Sequence, residues 1–230
     1  MFEKYRDKTI LIVGGGTSTI DRKWENLDYD FVWTCNDFYL EERVLSTPVD
    51  LYLLAYTTEL SSQRLIDKLN RDKSTVVLEP THYRRKQETK EYKEFEKKLL
   101  NKVIEADIKT ELKPHSPGLK AGATFRLVQL AMMTEASHIL FVGLDGFNKD
   151  FSNIHAFTKH KGLKDTDTRR DWGTGKESYV NVFTSAFMHL LSFNEPKRLQ
   201  NLGEGLEYNL GTPVSKEYFP LRKELYEKLK

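Results

Sequence analysis

Short apolar runs alternate along the chain with longer stretches in which apolar residues recur every three or four positions. The runs are continuous and rich in β-branched or aromatic residues, and they cover 9–13, 31–35, 51–54, 75–78 and 139–142. Such runs are typical of parallel strands that are covered on both faces. Helical periodicity marks 59–71, 84–106 and 122–136, and it returns near 176–193 and 215–229 around a last expected strand at 206–210.

This alternation predicts an α/β fold with a three-layer, Rossmann-like, mostly parallel sheet and helices on both faces. No repeat, low-complexity tract or linker interrupts residues 1–230, so we expect one nucleotide-binding domain. Ligands of such sheets bind beyond the carboxyl ends of the strands. Residues 146–175 follow one of these ends as a long polar stretch without periodicity, which is typical of a loop that covers a substrate.

The first strand runs directly into three glycines and two hydroxyl residues, Gly14, Gly15, Gly16, Thr17 and Ser18. Glycines allow a sharp turn and let backbone amides approach a ligand closely. We expect Thr17 or Ser18 to cap the following helix, whose free amides attract phosphate. The run lacks the third glycine of the dinucleotide fingerprint and the lysine of the P-loop, so a tight turn without a ligand stays open as an alternative.

Charge and cysteine content narrow the class of protein. The 36 basic and 34 acidic residues give a net charge of +2, which does not indicate a nucleic-acid binder. The single cysteine, Cys35, excludes a disulfide framework and a cysteine-based zinc site. No apolar run approaches the roughly 20 residues of a transmembrane helix, and the charged first residues do not form a signal peptide. These features predict a cytoplasmic protein and leave a homo-oligomeric state open.

Three segments carry a more specific pattern. They are Val13 to Ser18, the run Cys35-Asn36-Asp37-Phe38-Tyr39, and Ala121-Gly122 together with 141–145. These segments resemble three segments of the bacterial sialyltransferases with a variant GT-A fold. In the same order, these are the strand-plus-GxGxS opening, the Cys-Asn-x-Phe-Tyr segment, and the Ser-Gly helix with its Gly-Ile-Asp strand end. The same skeleton occurs in flagellin-modifying proteins and in archaeal-type 6-hydroxymethylpterin diphosphokinases. The resemblance covers roughly residues 9–40 and 118–150, with a looser match at 208–210.

The resemblance implies a nucleotide-sugar-dependent, inverting and metal-independent glycosyltransferase that uses a glycan-type acceptor and no further cofactor. It implies that Asn36 helps to hold the nucleotide and that Gly122 and Asp145 shape the donor pocket. The chain also departs from the family pattern. Ala121 stands where the family has a serine before the glycine. The family's two tyrosines that support the leaving phosphate fall near Phe147 and Asn153, so neither tyrosine is clearly present. The family's catalytic histidine falls within 171–176, and these residues contain no histidine.

Inversion at an anomeric carbon requires a base for the acceptor hydroxyl and groups that neutralise the departing phosphate. His155, His160 and Asp171 are the candidates for the base, with His155 first because it is closest to the strand end at Asp145. Several cationic or phenolic residues are candidates for phosphate contacts: Lys161, Arg169, Arg170, Lys176 and Tyr179. For each of these residues, an ordinary position on a polar surface is the alternative.

Two Asp-x-Asp strings bear on metal dependence, Asp28-Tyr29-Asp30 and Asp165-Thr166-Asp167. The first precedes a strand and so falls at the wrong end of the sheet, and the second lies in the polar stretch 146–175. Neither is specific, so no metal site is assigned. Two other functions remain: a Mg²⁺-dependent diphosphotransferase acting on a pterin-like alcohol, and a non-catalytic nucleotide-binding protein.

Overall fold

The computed structural model describes residues 2–54, 59–78, 90–100, 103–105, 123–144, 198–203 and 228. Its strands are β1 (Thr9–Val13), β2 (Phe31–Cys35), β3 (Leu51–Leu54), β4 (Thr75–Leu78), β5 (Val103–Glu105), β6 (His138–Val142) and β7 (Leu199–Asn201). Its α-helices are α1 (Ser18–Asp21), α2 (Glu42–Ser46), α3 (Gln63–Asp72), α4 (Lys90–Lys98) and α5 (Ala123–Met132). Three short 3₁₀ helices cover Phe2–Tyr5, Trp24–Asn26 and Asn36–Leu40.

The described strands form one seven-stranded sheet in the order β5-β4-β3-β2-β1-β6-β7. Every neighbouring pair is parallel; Ile12 of β1, for example, lies opposite Trp33 of β2 and Phe141 of β6. The Rossmann-like α/β fold expected from the sequence is confirmed.

The core lies on both faces of the central strands. In β1, β2 and β6 all residues after the first are buried, and β3 is buried throughout. This explains why these strands are continuous apolar runs rather than alternating ones. Tyr5 closes one end of the core, where its ring meets the rings of Phe31 and Trp33 edge-on at centroid distances of 4.8 and 4.9 Å. None of the described helices has the length and apolar character that crossing a membrane requires.

The expected helix over 84–106 is wrong in its last part, because α4 ends at Lys98 and Val103–Glu105 form strand β5. Asn70 of α3 explains the end of α4: its side-chain amide donates to the Lys98 carbonyl at 2.9 Å, and its oxygen accepts from Leu100 N–H at 2.9 Å. Strand β7 was not expected at all. The predicted strand 206–210 and the helix 176–193 lie outside the described residues, as does 215–229 except for Lys228.

Aspartates hold the starts of three strands at the amino-terminal edge of the sheet. Asp30 accepts from Thr9 N–H at 2.8 Å, and Asp50 accepts from Val32 N–H at 3.0 Å. Asp72 repeats the arrangement by accepting from Val49 N–H at 3.0 Å. The carboxylate that lies shortly before one strand thus holds the backbone near the start of the preceding strand, at Thr9 and Val32 within β1 and β2 and at Val49 two residues before β3. These acidic side chains therefore act in the fold, at the edge opposite to the one where ligands of such sheets bind.

Candidate functional site

The carboxyl ends of β1 and β6 meet at the point where the strand order reverses. From β1 the chain builds the sheet outward through β2 to β5, and β6 then pairs with the other side of β1. Connections that leave two neighbouring strands in opposite directions open a crevice between them, and ligands of parallel sheets bind there. The glycine run follows β1 directly, so the sequence places it at this crevice.

Two backbone hydrogen bonds hold the glycine turn against β6. Gly14 N–H donates to the Val142 carbonyl at 2.7 Å, and Gly16 N–H donates to the Gly143 carbonyl at 2.8 Å. Two of the three glycine amides are therefore used within the protein. The turn is an extension of the β1–β6 pairing as well as a candidate ligand cradle.

Gly14 and Gly143 allow the two strand ends to touch. A Cβ atom on Gly14 would overlap the Thr124 side chain and lie 2.8 Å from the Gly143 carbonyl oxygen. Gly143 has a φ of +74°, and a Cβ there would overlap the Gly14 carbonyl and the Thr19 hydroxyl. The requirement for glycine at position 14 thus comes from packing against β6 and α5, a reason the sequence alone did not give.

The hydroxyl residues after the glycines lock the turn instead of capping a helix. Ser18 accepts from Gly143 N–H at 2.8 Å, and the Thr19 hydroxyl donates to the Gly14 carbonyl at 2.6 Å. Thr17 occupies the position before α1, and its side chain makes no capping hydrogen bond. Helix α1 has only four residues, so it offers a weaker dipole than the helix expected after the glycine run. The predicted helix cap by Thr17 or Ser18 is therefore wrong.

Two amides of the turn have no partner among the described residues. Within the described part of the chain, the N–H groups of Gly15 and Thr17 have no hydrogen-bond acceptor, and neither does the Thr17 hydroxyl. Thr17 and Gly16 are half-buried, whereas Gly15 is buried. Backbone amides in a tight turn are well suited to anionic oxygens because they carry partial positive charge at fixed positions. The turn can therefore bind an anion through Gly15 and Thr17.

Asn36 starts the turn at the carboxyl end of β2, beside the glycine turn. Its φ of +53° places it in the left-handed region, which asparagine tolerates better than most residues. The half-buried Asn36 opens the 3₁₀ helix Asn36–Leu40, and Asp37 next to it is buried. Thr34 ties the two strand ends together by donating its hydroxyl hydrogen to the Val13 carbonyl at 2.9 Å. The structure thus brings Asn36 and the glycine turn to the ends of neighbouring strands.

Helix α5 meets the same crevice. The side chain of Thr124, in its first turn, contacts both strand ends: its hydroxyl lies 3.7 Å from the Cys35 sulfur, and its methyl group fills the space beside Gly14. Cys35 is buried in this contact, as expected for a small apolar residue. Gly122 precedes α5 by one residue and lies outside the described residues.

The phenols near this edge are held in their neutral form. Burial is the main cause that raises the pKa of Tyr39, and burial raises the pKa of the fully enclosed Tyr52 well above its ordinary value. Both side chains therefore stay protonated near neutral pH, and neither is suited to act as a base there. Sequence reasoning named Tyr39 only as part of the Cys-Asn-x-Phe-Tyr run and did not consider Tyr52 for this part of the site.

The remaining candidates of the sequence analysis lie outside the described residues. They are Asp145, His155, His160, Lys161, Arg169, Arg170, Asp171, Lys176 and Tyr179, together with the second Asp-x-Asp string. In the first string, Asp28 forms an ion pair with Lys228, and Asp30 holds the start of β1. Among the described residues, no cluster of three or more His, Cys, Asp or Glu side chains suited to a metal ion occurs.

Sequence reasoning missed two side chains that shape this region. Arg43 of α2 reaches the backbone just after the glycine turn, and Thr124 fills the space between β1, β2 and α5. A charged residue in a short helix carries no sequence signal for such contacts. The signal for Thr124 was indirect, since it lies two residues after the Ala121-Gly122 pair that carried the resemblance.

Comparison with solved structures finds the same fold in a sialyltransferase. The match is to CstII from Campylobacter jejuni, in a structure with the substrate analogue cytidine-5'-monophosphate. The TM-score is 0.56 and the sequence identity 13%, over 96% of this chain and 87% of that one. No protein-family model matches the sequence, and no curated protein matches it. At this identity, the likeness establishes a shared fold.

Proposed function

We propose that this chain is a sialyltransferase-like glycosyltransferase that takes its sugar from a cytidine nucleotide donor and inverts the anomeric carbon without a metal ion. The observation that carries the proposal is a pair of amides, those of Gly15 and Thr17, that have no acceptor among the described residues and lie in a turn at the crevice between β1 and β6. The fold shared with CstII, whose structure holds cytidine-5'-monophosphate, supports the same reading.

In this proposal, the turn from Gly14 to Ser18 cradles phosphate or ribose, and Asn36 contacts the nucleotide from the end of the neighbouring strand. The two turns are close enough to contact one nucleotide, because both start at the carboxyl ends of adjacent parallel strands, which lie about 4.8 Å apart. Gly122 and Asp145 complete the donor pocket.

The catalytic half of the proposal rests on the sequence. His155, His160 or Asp171 removes the proton from the acceptor hydroxyl, and this hydroxyl oxygen attacks the anomeric carbon as the nucleotide phosphate leaves. A positioned base typically contributes about 10²- to 10⁴-fold to such a step. The departing charge is met by residues drawn from Lys161, Arg169, Arg170, Lys176 and Tyr179. Residues 146–175 close over the donor and a glycan-type acceptor in the cytoplasm.

The test is a thermal-shift panel of CMP, CDP, UDP, GDP, ATP and CMP-sialic acid, each with and without Mg²⁺. A ligand at about 100 times its Kd adds roughly 2.7 kcal/mol to the free energy of unfolding, which raises the Tm by a few degrees. We expect cytidine nucleotides to stabilise the protein equally well with and without the metal. Stabilisation by ATP with Mg²⁺ alone would overturn the proposal in favour of diphosphate transfer.

A charge placed in the turn tests the location of the site. Gly15→Asp sets a carboxylate against the incoming phosphate, and we expect it to weaken CMP binding at least about tenfold. Ser137→Asp is the matched control, because it adds the same carboxylate at an exposed position next to the amino-terminal start of β6. Equal CMP affinity in Gly15→Asp and Ser137→Asp would contradict the assignment of the turn. Binding of CMP with no turnover of CMP-sialic acid in an acceptor screen would indicate a non-catalytic nucleotide-binding protein.

A further inference from the structure

The Arg43 side chain connects the segments that follow β1 and β2. Arg43 lies in α2, three residues after the turn Asn36–Leu40. Its guanidinium donates to the Arg22 carbonyl at 2.8 Å and also to the Thr19 carbonyl. Both carbonyls belong to the backbone that leaves the glycine turn. One side chain from the β2 side thus holds the exit of the β1 turn.

Carboxylates and a tryptophan complete the surroundings of this guanidinium. Its nitrogens lie 3.2 Å from Glu25 and 3.4 Å from Glu41, and its central carbon lies 5.5 Å from the centre of the Trp24 ring. The Trp24 indole N–H also donates to the Thr19 carbonyl, at 3.0 Å. The planar fork of an arginine suits several acceptors at fixed angles together with an aromatic face, and a lysine does not supply that geometry.

The contacts continue from Arg43 into the glycine turn. Thr19 accepts from Arg43 through its carbonyl and donates its own hydroxyl to the Gly14 carbonyl at 2.6 Å. Gly14 in turn is fixed to Val142 of β6. We propose that Arg43 is a positioning residue for the nucleotide site: it fixes the glycine turn relative to the Asn36 turn. This inference rests on the proposed function, since it assigns both turns to one ligand.

Arg43 acts through the backbone and not as a phosphate ligand. Each of its three guanidinium nitrogens already donates to a protein group: Nε to Glu41, Nη1 to Arg22 and Glu25, and Nη2 to Thr19. Loss of Arg43 should therefore loosen the geometry of the site without removing a direct ligand contact. Small displacements of binding groups are costly, so we expect about a tenfold rise in the Kd for CMP in Arg43→Gln and in Arg43→Lys.

The experiment measures two quantities on the full chain: the Kd for CMP by calorimetry, and amide hydrogen exchange across residues 14–22 and 59–78 without nucleotide. Arg71→Gln is the matched control, because Arg71 also donates to a backbone carbonyl, that of Leu45, and to a carboxylate, that of Asp72 at 3.0 Å. Those contacts lie at the amino-terminal edge. We expect Arg43→Gln to speed exchange in 14–22 and to weaken CMP binding. We expect Arg71→Gln to leave the exchange in 14–22 and the Kd for CMP unchanged.

The two readouts separate failure of this inference from failure of the proposed function. Faster exchange in 14–22 together with unchanged CMP affinity would overturn the positioning role, and so would unchanged exchange in Arg43→Gln. A wild-type protein that binds no CMP would overturn the proposed function, and with it the role of Arg43 in a nucleotide site. A rise in Kd for Arg43→Gln that Arg43→Lys fully restores would also contradict the inference, since it would show that charge alone matters.

Discussion

At the scale of single residues, backbone conformation and ligand contact place different demands on the same positions. Position 14 requires glycine because a Cβ atom there would overlap the Thr124 side chain of α5 and lie too close to the Gly143 carbonyl oxygen. Gly143 has a backbone conformation that other residues rarely adopt. Asn36 also lies in the left-handed region, and in the proposed function its side chain contacts the nucleotide. The backbone conformation and the proposed ligand contact are therefore two separable demands on Asn36.

Substitutions of Asn36 separate these demands. Asn36→Gly keeps the left-handed backbone and removes the amide, so we expect near wild-type stability and weaker CMP binding. Asn36→Ala should weaken binding to the same degree and also lower the free energy of unfolding by about 1 kcal/mol, because alanine is strained at this φ. Urea denaturation and calorimetry on both variants check this. Wild-type CMP affinity in Asn36→Gly would remove the side chain from the site.

At the scale of elements, the aspartates at strand starts give the sheet a distinct response to pH. Hydrogen bonding from Thr9 N–H is the main cause that lowers the pKa of Asp30, with a further contribution from Lys8. Burial is the main cause that raises the pKa of Asp50, although Val32 N–H opposes this effect. The same structural arrangement thus shifts two carboxyl groups in opposite directions, because Asp50 is more deeply enclosed.

The two shifts predict opposite pH slopes. The contribution of Asp30 to stability is present above its ordinary pKa of 3.8 and is lost as the pH falls through its lower folded value. Asp50 does the reverse: folding favours its protonated form, so its contribution declines as the pH rises from 3.8 through its raised value. We therefore expect Asp30→Asn to lose stability relative to wild type as the pH rises, and Asp50→Asn to gain it.

Urea denaturation of wild type, Asp30→Asn and Asp50→Asn between about pH 3 and pH 6 measures these differences, since the window spans the ordinary carboxyl pKa. Asparagine retains an oxygen that can accept a hydrogen bond from the same backbone N–H, so each variant mainly removes the titratable carboxyl group. Relative stabilities that change with pH in the same direction for both variants would contradict the assignment.

The elements also show where sequence reasoning succeeds and fails. The apolar strands β1 to β4 and β6 were predicted within a residue because they are buried and therefore consist almost entirely of apolar residues. Strand β5 is only three residues long and follows a helix whose periodicity masked it. What ends that helix is Asn70, which lies 28 residues before Lys98, and such a contact leaves no trace in a local pattern.

At the scale of the whole molecule, the pattern of strands and helices predicted the class of fold, and the glycine run indicated the edge at which we propose the site. The positions 14, 15, 16, 17, 18 and 36 do gather at neighbouring strand ends. The use of the hydroxyls could not be foreseen, because Ser18 and Thr19, the first two residues of α1, bond to Gly143 and Gly14 across the turn. Tertiary contacts of this kind override local capping preferences.

The sheet order predicts a gradient of local stability. Strand β1 is paired on both sides and fully buried after Thr9, whereas β5 is paired with β4 at the outer position and Val103 and Ile104 are half-buried. Amides in buried, doubly paired strands open only through large-scale unfolding. We expect exchange at 10–13 to be slower than at 103–105, as measured by hydrogen exchange at neutral pH. Equal protection would contradict this sheet order.

The aspartates at strand starts have a consequence for engineering. Thr9, Val32 and Val49 are held by carboxylates that belong to the amino-terminal edge alone. The scaffold is thus fastened on the side away from the crevice, and no contact of this set would be cut by exchanging a loop on the crevice side. In the proposed function, residues 146–175 select the acceptor, so we expect their exchange to change acceptor specificity while leaving these three hydrogen bonds in place.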